Sequence, residues 1–529
     1  MSAAQVPGGR GGGGPRTVFD TQTAGTAPRP ATDSTPIGNM GKGRQVLGSL
    51  AANGFLLAYG LQEGYTTPAL PQLRQAGSGL AVSDEDASWI GSIFLLGIAI
   101  GTPLQGPMLA LGRRRSLMFV SPVMCLGSLL ITFPNSVAML LAGRFVNGVC
   151  MGSVLPMPHI FISETVAPEL RGALVGAGMF GINIGLITVY SLGLALSWQQ
   201  IGGFIAAFYG MYPVLLWPLP ETPNWLATHG RDQEARRSLL FYSGDAAGAE
   251  TELARIKERS TAHNPDLPPV SELRRRAFYL PLLVSVTVTL CKATSGTPAI
   301  HLYSYDMFVA VGGSADPLQA SVVSTALSSV GSVLAFVLMD RAGRRPLFLL
   351  AMLTCGICWV AIGSAALLVS DPIATDWVAI LGFSVALFVY NIGIGPVGMV
   401  IMGEMIPLRY RTIISPLQSM IMWIASFAVG KTFFQLRDAL NFFGLCFLYA
   451  STCALFAVLG FLLVPETKGK TLSEIEEMFE QGTLPVSRRA SAHYDTLKDE
   501  PEEKSAVNRA SRPPVYGTEV PSSPPQEPI

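Results

Sequence analysis

The chain has 529 residues, 49% of them hydrophobic and only 14% charged, with a mean hydropathy of +0.41. Soluble domains carry about a quarter charged residues, so much of this chain must face lipid, or a protein core inside lipid. The formal net charge is zero, which gives no support to a nucleic-acid partner.

Residues 1–45 are polar and rich in Gly, Pro and Ala, without an apolar run of signal-peptide kind, and read as a disordered tail. Apolar runs, each about the 20 residues that a bilayer core requires, then start near Val46, Ser88, Ser116, Val137, Ala173 and Gln200. After a charged interval they resume near Ala277, Leu318, Leu347, Trp377, Ile413 and Asn441. The expectation is an all-α membrane protein of twelve transmembrane helices in two six-helix bundles, 46–221 and 277–464. The interval 222–276 should carry two short surface helices, Arg231–Tyr242 and Ala249–Ser260. The tail 465–529 is Pro-, Ser- and Glu-rich and expected to be mostly disordered. Within it, Arg488-Arg-Ala-Ser491 matches a basophilic phosphorylation pattern of a kind that occurs often by chance. With twelve spans, Arg113–Arg115, Arg171, the central interval, Arg341, Arg344, Arg345, Arg409 and Arg411 share one side. The positive-inside rule makes that side cytoplasmic, together with both tails.

The two halves repeat one another. Glu164 precedes Arg171 by seven residues, as Glu404 precedes Arg411, with a proline between in each case. Gly112-Arg-Arg-Arg answers Gly343-Arg-Arg, and Pro220-Glu-Thr answers Pro465-Glu-Thr, at matching places in the two groups of spans. Matched pairs in matched positions point to a duplicated transporter with its substrate site between the halves near midplane. The charged ends suit charge-assisted hydrogen bonds between helix termini. Such bonds bias access states if they form in only one of them; ordinary interfacial anchoring is the other reading. Gly393, Gly395 and Pro396 predict a bend in span ten. Thr294-Ser-Gly-Thr-Pro298 predicts a break in span seven, whose outer half, through Tyr303 and Tyr305, would swing to close one face.

The seven cysteines all fall in apolar runs, and Cys355-x-x-Cys358 reads as two buried thiols on adjacent turns, without a second ligand pair. No nucleophile–base pair, metal cluster or nucleotide loop is present, so neither an enzyme nor a cofactor is expected. His159 and His301, near span ends, read as ordinary polar residues with titrating switches as the alternative.

Taken together, Gly143-Arg144-x-x-x-Gly148-x-x-x-Gly152, Glu164–Gly172, Pro220–Leu226, Asp340–Arg345, Gly395-Pro396, Glu404–Arg411 and Pro465–Thr471 resemble a sugar porter of the major facilitator superfamily. Gly64–Leu70 and Ala87–Ile90 look most like the branch of insect facilitated trehalose transporters and related glucose facilitators. The resemblance spans about Val46–Gln481 and implies a plasma-membrane carrier of a small polyhydroxylated solute. Its implied gate comprises Arg144, Glu164, Arg171, Glu221, Asp340, Arg344, Glu404, Arg411 and Glu466, with hinges at Gly296, Pro298, Gly395 and Pro396.

The cargo positions depart from the family pattern. Alignment puts Met179, Lys292, Ser328 and Ser426 where the family carries amides, and Met399 where it carries a tryptophan; Trp423 keeps the aromatic. Thr294 and Ser295 complete the implied substrate-binding set. Amides both donate to and accept from sugar hydroxyls, so their loss weakens a hexose reading. Proton-coupled relatives typically carry an aspartate where Thr66 stands, which argues for uniport. Two alternatives stay open: a carrier for a charged or less hydroxylated solute, and a non-transporting nutrient receptor. Glu63 and Lys292 are charges inside spans, costly unless functional. Their expected pairing across the cavity, with Glu63 as an alternative proton carrier, competes with separate snorkelling to water.

Overall fold

The structure is a computed structural model that describes residues 39–75, 79–80, 82–262, 275–407, 410–468, 470 and 472–480. Arg409 and the Arg488–Ser491 motif lie outside these residues, as does the side chain of Asp340.

The first half begins with α1 (Asn39–Gly64) and α2 (Thr66–Leu73), which together form span one. Span two is α3 (Asp84–Gly101), a 3₁₀ turn (Thr102–Leu104) and α4 (Gln105–Leu111). Span three is α5 (Arg113–Thr132), and span four joins α6 (Val137–Val154) to α7 (Met157–Thr165). Spans five and six are α8 (Pro168–Gly193) and α9 (Trp198–Leu216). Three surface helices follow: α10 (Pro223–Thr228), α11 (Asp232–Ser243) and α12 (Ala246–Ala262).

The second half repeats the plan. Span seven is α13 (Arg276–Thr294) and α14 (Thr297–Val311); spans eight and nine are α15 (Pro317–Ala342) and α16 (Arg344–Leu368). Span ten comprises α17 (Pro372–Val389), a π-helical turn (Tyr390–Ile394) and α18 (Gly395–Met405). Spans eleven and twelve are the two limbs of α19 (Arg411–Leu463), which reverses at Asn441, where φ is +58°. Asparagine is among the few non-glycine residues that tolerate positive φ. A short amphipathic helix, α20 (Leu472–Glu480), packs on α13 and α18.

Nine helical runs among the described residues are long and apolar enough to cross a bilayer, and the last, Ile413–Leu463, spans 51 residues, enough for two crossings. The span-one pair and α9 fall outside these nine runs and pack on α8 and α5 respectively. Large apolar side chains such as Leu350, Phe461 and Trp377 stand exposed on the outside, as a lipid-facing surface requires. The protein is thus an integral, multi-pass, all-α membrane protein.

Helix starts follow local chemistry. At the end away from the arginine clusters, Ser83, Ser136 and Ser197 cap α3, α6 and α9, and Asp316 and Asp371 cap α15 and α17. Each side-chain oxygen accepts an otherwise orphaned amide of the first turn. At the basic end, α5 and α16 begin with arginines after Gly112 (φ +110°) and Gly343 (φ +88°), and their caps come from far along the chain. Glu221 accepts from the amides of Arg114 and Arg115 at 2.9 and 3.1 Å. Glu466 accepts from those of Arg344 and Arg345 at 3.1 Å each. The duplicated Pro-Glu-Thr and Gly-Arg-Arg motifs are therefore the two sides of one latch, built once per half.

The Gly148-x-x-x-Gly152 stripe of α6 lies on Gly97-x-x-x-Gly101 of α3; a β-carbon on Gly101 or Gly152 would run into the facing carbonyl oxygen of Val149 or Ile98. Small residues allow this backbone approach, the usual basis of close helix packing in a membrane. Helical order reaches back to Asn39, seven residues ahead of the expected Val46. The reason is docking: Gln45 donates to the Tyr242 carbonyl at 3.0 Å and accepts from the Ala167 amide at 3.0 Å.

Candidate functional site: a central cavity sealed at one end

At the end away from the arginine clusters the two halves are bonded together. The Thr66 hydroxyl donates to the Leu302 carbonyl at 2.8 Å, and Thr67 and Tyr190 donate to the His301 carbonyl at 3.3 and 2.8 Å. Arg74 bridges to Asp306 at 2.6 Å, and the Lys431 ammonium donates to the Ser88 hydroxyl at 2.7 Å. Tyr303, where α14 kinks, is fully buried between Phe433 and Phe434 and lies against Gly91 of α3, where a β-carbon would collide with the phenol. Among the described residues, links from spans one, two and five to spans seven and eleven close this face.

Beneath the seal lies a cavity of about 860 Å³ between the halves. It runs from Glu63, Lys292 and His301 inward to Leu109, Ile406 and Arg411 at the basic end. Of the residues expected to meet substrate, Lys292, Met179, Met399, Trp423 and Ser426 line it. Three do not. Thr294 and Ser328 return their hydroxyls to helix carbonyls at Leu290 and Thr325, and Ser295 is buried with its carbonyl held by the Trp359 indole at 2.8 Å. These are structural supports of spans seven and eight, as is usual for Ser and Thr hydroxyls inside helices.

Sequence reasoning missed several wall residues. Asn183, one turn beyond Met179, donates to the Ser332 hydroxyl of the other half at 2.8 Å. Asn391 donates to the Ser328 carbonyl at 3.3 Å, and Tyr59, Tyr390 and Gln418 also face the space. The i, i+4 relation to Met179 was the available signal for Asn183. His301 is far from a span end in function: it lies at cavity depth, its Nδ1 3.5 Å from a Glu63 carboxylate oxygen. Glu63 and Lys292 line the same cavity, but the close partner of Glu63 is His301 rather than Lys292. His159 also lines the wall.

The helix breaks expected in spans seven and ten are present. Between α13 and α14, Gly296 adopts φ +82°, with a β-carbon position 2.5 Å from the Trp359 ring, and Pro298 opens α14 beside the cavity. In span ten the π-helical turn precedes Gly395 and Pro396, both on the cavity wall. Proline at the first turn of a helix removes no needed donor, so each break leaves a clean restart. A third break, at Tyr65 between α1 and α2, sits next to Glu63.

At the basic end the charged residues bond within their own halves. Arg113 bridges to Glu164 at 2.8 Å and Arg344 to Glu404 at 3.3 Å. Arg171 donates to the Val166 carbonyl at 3.1 Å; Arg411 donates to the carbonyls of Gly403 and Ile406 at 2.8 and 3.4 Å. Arg113 is the counterpart of Arg344. Arg144 stands apart from this set: it is fully buried within α6, over the rings of Tyr65 and Phe94 at 5.6 and 5.5 Å, and bonded to the Gln62 carbonyl. Its place on the first half of span four, which starts at the sealed end, takes it away from the charged termini.

Two six-helix halves around one central cavity, closed at one end, make a multi-pass membrane protein of the major facilitator fold. A profile of the sugar (and other) transporter family matches residues 48–479, and the chain belongs to that family. It is 30% identical over 444 residues to the facilitated trehalose transporter Tret1 of Drosophila pseudoobscura pseudoobscura, covering 82% of this chain and 51% of that protein. Against Tret1 of Bombyx mori the identity is 29% over 448 residues, covering 84% and 88%. The chain thus spans about half the length of the Drosophila relative and most of the silkworm one. Among solved structures it is similar to the proton:xylose symporter XylE bound to 6-bromo-6-deoxy-D-glucose, at 20% identity and TM-score 0.67, covering 83% and 100%. An inward-open structure of XylE from E. coli gives 21% identity and TM-score 0.68, covering 81% and 98%. These likenesses are in the fold.

Proposed function

We propose that the protein is a facilitative carrier that moves a small polyhydroxylated solute, a sugar such as trehalose or a hexose, by alternating access. The observation that carries this reading is the cavity, sealed by cross-half bonds at one end and running to the basic end at the other. The basic end faces the cytoplasm by the positive-inside rule, with both termini there, in the plasma membrane. Residues 46–221 and 277–464 then act as the two moving bundles, with 222–276 as a cytoplasmic linker.

In this state solute enters or leaves on the cytoplasmic side. Trp423, edge-on to Tyr59 with ring centroids 6.1 Å apart, offers a face for a sugar ring, and Asn183, Asn391 and Ser426 supply polar partners. Closing the basic end requires Arg171 and Arg411 to leave their own-half carbonyls for partners across the gap. Opening the other end breaks the Thr66, Thr67, Tyr190 and Arg74 links at the α1–α2 and α13–α14 breaks. Population of the two states depends on the difference between these bond sets. Thr66 spends its hydroxyl on this seal and offers no carboxyl, which favours uniport over proton coupling.

Uptake of labelled trehalose and glucose into transporter-null cells expressing the full chain tests the reading, with and without an imposed pH gradient. Saturable uptake independent of the gradient is expected. Uptake that follows the gradient would turn the reading to a proton-coupled carrier, and sugar binding without uptake to a receptor.

A further inference from the structure

Lys292 sits in the last turn of α13, only 8% exposed, and lines the cavity. Among the described residues its ammonium has neither a hydrogen-bond acceptor nor a carboxylate within bonding distance. Glu63 lies 3.5 Å from the His301 ring, and Arg411, at the mouth, donates to the Gly403 and Ile406 carbonyls. Glu63, on the same wall, attracts this ammonium but does not reach it, so its hydrogen-bonding positions stay open to a solute, and a charged residue inside a span is retained where a function needs it. Two features hold it ready for an anion. The C-terminal carbonyls of α13 favour a cation at its position. The break at Gly296 then leaves the side chain facing open cavity rather than a continuing helix.

The remaining surroundings suit a polyhydroxylated ring. Trp423, Tyr59 and Tyr390 provide flat apolar surface, and Asn391 and Ser426 provide polar edges. A neutral hydroxyl would give Lys292 a bond in which only the ammonium is ionised, whereas a carboxylate gives one in which both partners are. We propose that Lys292 is an anion-recognition residue, and that the cavity prefers a monocarboxylated sugar to the corresponding neutral sugar. This rests on the reading of the cavity as a sugar path.

The test uses proteoliposomes containing the full chain, with uptake of labelled D-glucuronate and D-glucose compared as a ratio within each preparation, so that differences in folding or insertion cancel. Wild type should favour glucuronate. Lys292→Gln should lower the glucuronate-to-glucose ratio about tenfold or more, the loss expected for one charge-assisted bond, and Lys292→Arg should restore most of it. A ratio that Lys292→Gln leaves unchanged overturns the inference. So does a wild type that carries glucose or trehalose but excludes glucuronate, a result that leaves the sugar-carrier reading standing. If none of these sugars moves, both fall together.

Discussion

Trp423 is 8% exposed, with its indole on the cavity wall and its edge toward Tyr59. Stacking of this kind contributes about 0.5–1.5 kcal/mol beyond area burial, so Trp423→Ala should weaken apparent sugar affinity roughly two- to tenfold. Trp423→Phe should recover much of it. Concentration dependence of uptake checks this, and unchanged affinity in the alanine variant would make the tryptophan a packing residue only. At this scale the sequence was readable in part. Trp423, Met179 and Met399 were placed by alignment and do face the cavity. Asn183 and Asn391 were overlooked because a single amide in a long apolar helix carries no orientation until the helix face is known. His301 was misjudged because its distance from the end of the apolar run says nothing of the break at Gly296, which sets its depth. Thr294, Ser295 and Ser328 were polar in the right stretch but turned back onto their own helices.

Among the elements, span seven is the one whose geometry is most constrained. Gly296 needs positive φ and lies where any β-carbon would meet the Trp359 ring. Gly296→Ala should therefore impose both strain and overlap, cutting transport by about tenfold or more, since strained positive-φ sites and overpacking each cost on the order of 1–3 kcal/mol. Pro298→Ala, which keeps the restart sterically possible, should have a smaller effect on rate and alter inhibitor access at the sealed face. Surface labelling alongside uptake separates a transport defect from lost insertion; wild-type rates in both variants would place the hinge elsewhere. Breaks of this sort were legible because Gly and Pro punctuate them: Gly296 with Pro298, Gly395 with Pro396. The break at Tyr65 was overlooked although Pro68, in the first turn of α2, lacks the amide that would bond the Gly64 carbonyl; the α1–α2 join keeps helical backbone angles at Tyr65, so the interruption is slight. The capping of α5 and α16 was also hidden, since Glu221 and Glu466 lie more than a hundred residues from the amides they hold.

Over the whole molecule, the repeat is the organising feature. Arg113–Glu164 with Glu221 on one side answers Arg344–Glu404 with Glu466 on the other, and Arg171 answers Arg411, each donating to the carbonyl five residues back. That duplication was visible in spacing alone, and it fixed the twelve-span, two-half architecture; which end the halves would close on was not, because both ends carry bonding groups. With the far end sealed, Arg171 and Arg411 make no bond across the halves among the described residues. Arg171→Ala or Arg411→Ala should consequently spare insertion while disfavouring the state closed at the basic end, and so slow exchange through the cycle. Kinetics identical to wild type in both variants would reduce them to membrane anchors.

The central claim is that this single cavity is exposed alternately to the two sides. Counterflow tests it most directly: proteoliposomes holding the full chain are preloaded with unlabelled trehalose, and entry of labelled trehalose is followed. Saturable entry that the internal sugar accelerates, and that an imposed pH gradient leaves unchanged, is the predicted result. Entry no faster than into empty vesicles, or sugar binding without acceleration from the other side, would contradict it.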